Sequence, residues 1–95
     1  MKNHQDIDRR SLQLALEIAG RIDERPELLD QARQWAQRHP SPALDDWREI
    51  LRADWPSIRE ALLENSDRGQ QRRQNSPFAG ILDPKTRWRI YREAQ

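Results

Sequence analysis

Cysteine is absent from this 95-residue chain, which excludes a disulfide framework, a thiolate nucleophile and any cysteine-based zinc site. Valine is absent too, and a single Thr, Phe and Tyr leave Ile and Trp as nearly all of the β-branched and aromatic pool. A sheet is hard to assemble from so little. Leu, Ala, Arg, Gln and Glu, all good helix formers, fill the stretches between prolines instead. No apolar run approaches the roughly 18 residues of a membrane span, and the opening MKNHQDIDRR lacks the apolar core of a secretory signal. The expectation is a soluble, cytoplasmic, all-α protein: a small bundle of about five helices with short, proline-marked connections.

Catalytic and cofactor chemistry find little to work with. The isolated glycines, Gly20, Gly69 and Gly80, make neither a P-loop nor a dinucleotide fingerprint. Gly20, inside a helical pattern, is expected to permit close packing or to mark an early helix end. His4 and His39 have no partner at helical spacing that would complete a metal site. His4 belongs to a terminus expected to fray, and His39 to a helix end whose carbonyls an imidazolium would complement. Asp23 with Glu24, and Asp45 with Asp46, are sequence neighbours that point roughly 100° apart on a helix and do not converge. Ser11, Ser41, Ser57, Ser66, Ser76 and Thr86 stand without a nucleophile elbow. A non-enzymatic protein with no cofactor and no metal is expected.

The prolines divide the chain. A first helix over about Asp8 to Asp23 turns Leu12, Ala15, Leu16, Ala19 and Ile22 inward, with Leu14 and Ile18 widening the face. That width suits two packed neighbours or a stripe offered to another protein. Pro26 opens a second helix carrying Leu28, Leu29, Ala32, Trp35 and Ala36, which ends near His39. Ser41 is a suitable N-cap, with Pro42 at the first helical position of a third helix running to about Arg52. Its stripe is Leu44, Trp47, Ile50 and Leu51. Asp54 caps a fourth helix with Trp55, Ile58 and Leu62 inward. Gln70 to Asn75 offers no apolar face and reads as helical yet solvent-facing. Ser76 to Gly80 is a turn in which Pro77 fixes one φ and Gly80 is free to take a positive one. Asp83 and Pro84 then cap a last helix, Lys85 to about Arg92. No internal repeat is present.

Charge is distributed unevenly. Residues 1–67 carry ten Lys or Arg against fourteen acids, and residues 68–95 carry seven against two, so a net +1 conceals an acidic body and a basic tail. The tail, with its turn and final helix, is read as part of the same single domain. Arg outnumbers Lys fifteen to two. Genomic base composition accounts for a bias that also runs through the acidic body, although the guanidinium fork equally suits carboxylates, phosphates and aromatic faces. Trp35, Trp47 and Trp55 fall on apolar faces and read as core. On the last helix Pro84, Trp88 and Tyr91 recur at helical spacing beside Lys85, Arg89 and Arg92. Two readings stay open, together with a mixture of them: Trp88 and Tyr91 dock on the chain's own bundle, or the segment, with Phe78, anchors a partner.

The run Arg73-Gln74-Asn75-Ser76-Pro77-Phe78-Ala79-Gly80-Ile81-Leu82, then Pro84, Arg87-Trp88 and Ile90-Tyr91, resembles the C-terminal signature of a small, largely uncharacterised prokaryotic family of all-helical proteins. Arg10-Ser11-Leu12 with Leu14-Ala15, Asp46-Trp47 with Ile50-Leu51, and Asn65-Ser66-Asp67 resemble its other landmarks, so the likeness spans most of the chain. Gly69-Gln70-Gln71 departs from it, where a more regular helix is expected. Some members are antitoxin-like and associated with a neighbouring toxin or nucleotidyltransferase-type gene. The resemblance implies that the SPFAG turn and its capped helix are a structural or binding device, and it carries over no catalytic residue.

The leading expectation is therefore a protein-interaction module, an antitoxin-like subunit neutralising a toxin or nucleotidyltransferase-type partner. Its candidate contacts are Arg72, Arg73, Phe78, Ile81, Arg87, Trp88, Arg89 and Tyr91. One alternative is nucleic-acid binding through Arg68, Arg72, Arg73, Lys85, Arg89 and Arg92, with Trp88 or Tyr91 stacking on a base. A pI near 8.3 and an acidic body weigh against it. Another is a self-associating scaffold, a homo-oligomer joined through the broad first helix.

Overall fold

The computed structural model describes residues 4–78 and 80–93, with side chains from Arg9 onward. The expectation for the His4 side chain, and Ala79 of the turn, lie outside the described residues. The elements in chain order are α1 (His4–Glu24), α2 (Leu28–Arg38), a 3-10 turn (Pro42–Leu44) running into α3 (Asp45–Ile50), α4 (Trp55–Leu62), α5 (Asp67–Gln74) and α6 (Pro84–Glu93). The fold is all-α. Among the described residues it has six α-helices rather than about five.

Local capping chemistry sets three of the element starts. Ser41 accepts a hydrogen bond from the Ala43 amide at 3.3 Å, and Asp54 from the Ser57 amide at 3.2 Å, each with a proline in the following first turn. The extra helix, α5, starts the same way, on a 3.1 Å bond from the Gly69 amide to Ser66 Oγ. The expected third helix is a 3-10 turn and a short α-helix in series, and it stops at Ile50 rather than at Arg52.

α1 occupies the middle of the molecule and packs on α2, α4, α5 and α6. Four neighbours explain its wide apolar face. Ala15, Ile18, Ala19 and Ile22 are buried there, and the two alanines allow close approach. Leu16 departs from the expectation, because it lies on the outer side of α1 and is 51% exposed. Gly20 departs as well: a Cβ there would meet nothing within 4 Å, and the helix continues past it to Glu24. Gly20 neither packs nor terminates. The remaining core comes from Leu29, Ala32 and Ala36 of α2, Leu44, Trp47 and Leu51 around α3, Ile58 and Leu62 of α4, and Phe78, Leu82 and Ile90 of the C-terminal third.

Arginine has a structural use that composition did not reveal. Arg48 donates to the carbonyls of Ala36 and His39 at the end of α2, at 3.3 and 2.6 Å. Arg33 donates to those of Leu51 and Ala53 after α3, at 2.9 and 3.3 Å. Arg73 donates to those of Leu62 and Glu64 after α4, at 3.1 and 2.8 Å. Each of these helix ends leaves carbonyls that the helix itself cannot satisfy, and a guanidinium has enough donors to serve two at once while offsetting the negative end of the dipole. His39 adds a smaller version, its Nδ1 donating to the Trp35 carbonyl at 2.8 Å while its ring stacks on Trp35 at 3.9 Å.

Candidate protein-binding surface

The basic third of the chain begins with α5; the stretch read as helical yet solvent-facing is helical and exposes Gln71, Gln74 and Asn75, but α5 also buries Gly69 and Arg73. Gly69 is buried because α5 lies so close to the segment leaving α4 that a Cβ on Gly69 would lie 2.2 Å from the Glu64 carbonyl oxygen. The glycine that read as a flaw in the helix is the residue that lets the helix dock. Beside it Arg73, 9% exposed, donates from Nη1 to the end of α4, from Nε to Ser11 Oγ of α1 at 2.9 Å and from Nη2 to Gln70 Oε1 at 3.0 Å. One guanidinium thus joins three helices. Arg72 pairs with Glu64 at 3.1 Å, and its backbone carbonyl accepts the Trp47 indole N–H at 2.7 Å.

The turn that follows plugs the core. Ser76 Oγ accepts the Phe78 amide at 3.1 Å, and the Phe78 ring, 0% exposed, meets Trp47 edge to face at 5.3 Å. Pro77 and Leu82 are buried with it, and Ile81 is half-buried against the same cluster. Gly80 has no positive φ, since no described residue has one, so the turn does not draw on the conformational freedom expected of that glycine. Phe78 and Arg73 therefore belong to the interior, where their side chains have no surface to offer a partner.

α6 is different. Asp83 precedes it, with the Asp83 carbonyl accepting the Arg87 amide at 3.2 Å and its carboxylate accepting the Thr86 hydroxyl. That hydroxyl, chiefly, holds the Asp83 carboxyl below its ordinary range. Glu64 is lowered in the same way, first by the Ser66 hydroxyl and then by the charges of Arg72 and Arg68. Ile90 is the buried residue of α6, and side-chain contacts to α1 hold the helix in place: Arg89 with Glu17 at 3.3 Å, Arg21 with Thr86 at 3.5 Å, and Arg10 over the Tyr91 ring at 4.9 Å. Trp88 projects from the opposite side, 66% exposed, with Tyr91 edge-on at 6.5 Å and Lys85 and Arg92 exposed around it.

Of the docking alternatives read from the sequence, the structure divides the segment: Phe78 is enclosed in the chain's own bundle and Trp88 stands outside it. The eight candidate contacts divide accordingly. Arg73 and Phe78 are interior, Arg72 is occupied by Glu64, and Ile81 and Arg87 are half-buried. Trp88, Arg89 and Tyr91 are exposed, but of these Arg89 and Tyr91 also reach α1 through Glu17 and Arg10, which leaves Trp88 as the ring displayed on the outer side of α6. No known family, curated protein or solved structure matches the chain. Among the described residues there is also no group of three or more His, Asp or Glu able to hold a metal ion, and no helix long and apolar enough to cross a membrane.

Proposed function

We propose that the protein is an interaction module, an antitoxin-like subunit that neutralises a partner protein through the outer face of α6. The observation that carries this reading is the position of Trp88. Burying a tryptophan is among the largest single gains open to a small chain, yet this one stands in water on a helix that turns Ile90 to the core. Exposed Trp and Tyr flanked by cations are the usual composition of an interface anchor, and truncating such an anchor costs roughly 1–4 kcal/mol of binding. Lys85 and Arg92 are exposed beside the rings and favour an acidic partner groove, speeding encounter and setting orientation.

The test is co-expression with the product of the neighbouring reading frame, followed by co-purification, affinity measurement and a growth assay for neutralisation. Trp88→Ala is expected to weaken the complex by about tenfold or more and to relieve neutralisation. Unchanged affinity in that variant would remove α6 from the interface. The same exposed cations and rings are also the groups that nucleic-acid binding would use. Three of the basic residues proposed for it are engaged elsewhere, Arg72 with Glu64, Arg73 in the interior and Arg89 with Glu17. A labelled oligonucleotide titrated at low and high salt separates the two, because phosphate contacts give a steep salt dependence.

A further inference from the structure

On the inner side of α6, away from Trp88, a cleft of about 280 Å³ opens between α1, α5 and α6. Leu14, Ile18 and Leu82 supply apolar wall, and Tyr91 stands among the lining residues. The charge that lines it is of one sign, from Arg73 and Arg87. Gln70 Oε1 accepts from Arg73, and because a guanidinium can only donate, that bond fixes which end of the Gln70 amide is oxygen. The other end, Nε2, is buried without an acceptor. Arg87 Nε is likewise buried without an acceptor, and Arg87 takes part in no ion pair among the described residues, in contrast to Arg72 and Arg89. No Asp or Glu is among the described residues that line the cleft. Two side chains thus hold donors whose demand for an acceptor the protein leaves unmet, beside apolar wall.

We infer that this cleft binds a small monocarboxylate with a short apolar body. Its volume lies just below the range of drug-sized ligand sites, about 300–1,000 Å³, which suits only a small ligand. A carboxylate presents two coplanar oxygens that match a guanidinium edge, and the Gln70 amide supplies a further donor from the α5 side. A phosphate dianion would call for more cationic charge than the site commits, since the second guanidinium at the cleft, that of Arg73, is occupied by carbonyls and by Ser11. Leu14, Ile18 and Leu82 would cover the carbon body. The flexible stem of Arg87 brings its shielded donor onto the ligand, and a small tilt of the Gln70 side chain that keeps Oε1 on Arg73 does the same for Nε2. The site shares Tyr91 with the face that displays Trp88, but its proposed donors are Arg87 and Gln70 and it does not use Trp88.

The probes are 3-phenylpropionate, its uncharged amide and inorganic phosphate, titrated into the full isotope-labelled chain at neutral pH and followed by NMR. The expected result is saturable shifts centred on Gln70 and Arg87 with the carboxylate, at least about tenfold weaker binding of the amide and of phosphate, and a similar loss in Arg87→Gln. Trp88→Ala should leave the carboxylate affinity unchanged, which keeps this site distinct from the proposed protein interface. Absence of saturation up to about 10 mM, equal binding of the amide or phosphate, or full binding by Arg87→Gln would overturn the proposal. Should Arg87→Gln lose its fold, the comparison of carboxylate with amide on the unaltered chain decides.

Discussion

Arg72 to Leu82 and Pro84 to Glu93 are written in the same basic, aromatic vocabulary, but the first stretch is enclosed and the second displays its rings. Phe78 sits at 0% exposure against Trp47, while Trp88, ten residues later, is 66% exposed. Arg73 is spent on carbonyls of the chain itself, whereas Lys85 and Arg92 face solvent. A basic aromatic segment is therefore not a unit of function. Its first half ties the C-terminal third to the body, and a radius of gyration of 12.9 Å matches the roughly 13 Å of a compact chain of this length, as expected if the tail is folded in. Its second half is held on α1 by Arg89, Arg21 and Arg10 and leaves Trp88 in solvent.

Substitutions that should act on one half only sharpen this contrast. Phe78→Ala empties a fully buried site and should cost about 3–5 kcal/mol, read as a lower denaturant midpoint. Arg73→Met keeps the apolar stem but strands the Leu62 and Glu64 carbonyls, with an expected loss of about 2–3 kcal/mol in the same measurement. For Gly69→Ala the methyl meets backbone rather than a movable side chain, so α5 must shift on the segment leaving α4 at a cost of about 1–3 kcal/mol. A stability unchanged by this last variant would mean that the close approach of α5 to that segment is not needed.

Smaller effects belong to the outer half. The lowered carboxyl of Asp83 contributes stability that is present above its ordinary value of 3.8 and is lost as pH falls through the lower folded value. Thr86→Val removes the main cause of that lowering. The variant should therefore lose less stability than the parent when unfolding is compared at about pH 6 and pH 2. Trp88→Ala should change stability by less than about 0.5 kcal/mol, the ordinary size for a surface position. A large loss of stability there would mean that Trp88 is part of the fold, and the division of the tail into two halves would fail.

Much of the architecture was legible because capping is local. Ser41 with Pro42, Asp54 with Pro56, and Asp83 with Pro84 announce their helices within a few residues, and the apolar spacing of α2 places Leu29, Ala32 and Ala36 in the core as read. The sixth helix was missed as a packed element because α5 buries a glycine and an arginine instead of an apolar stripe. No hydropathy pattern reports that. The signal that was available is the pair Ser66 and Gly69, a cap three residues before the one residue small enough for that close approach. The outer face of α6 was half legible: the spacing of Trp88 and Tyr91 was visible, but not which way the helix would turn. Either Ile90 or Trp88 satisfies the periodicity of an inward residue.

Read from the chain alone, then, the all-α class, the proline-marked helix starts and most core positions follow from propensity, capping and spacing, all of which act over a few neighbouring residues. Which arginines serve helix ends, which aromatic is plugged and which is displayed were decided only by the tertiary structure. The contacts responsible, Arg73 to Ser11 across 62 residues, Arg89 to Glu17 across 72 and Trp47 to Arg72 across 25, join segments remote in sequence. An arginine or tryptophan has the same local preferences inside and outside, so only the neighbours brought by the fold determine its place.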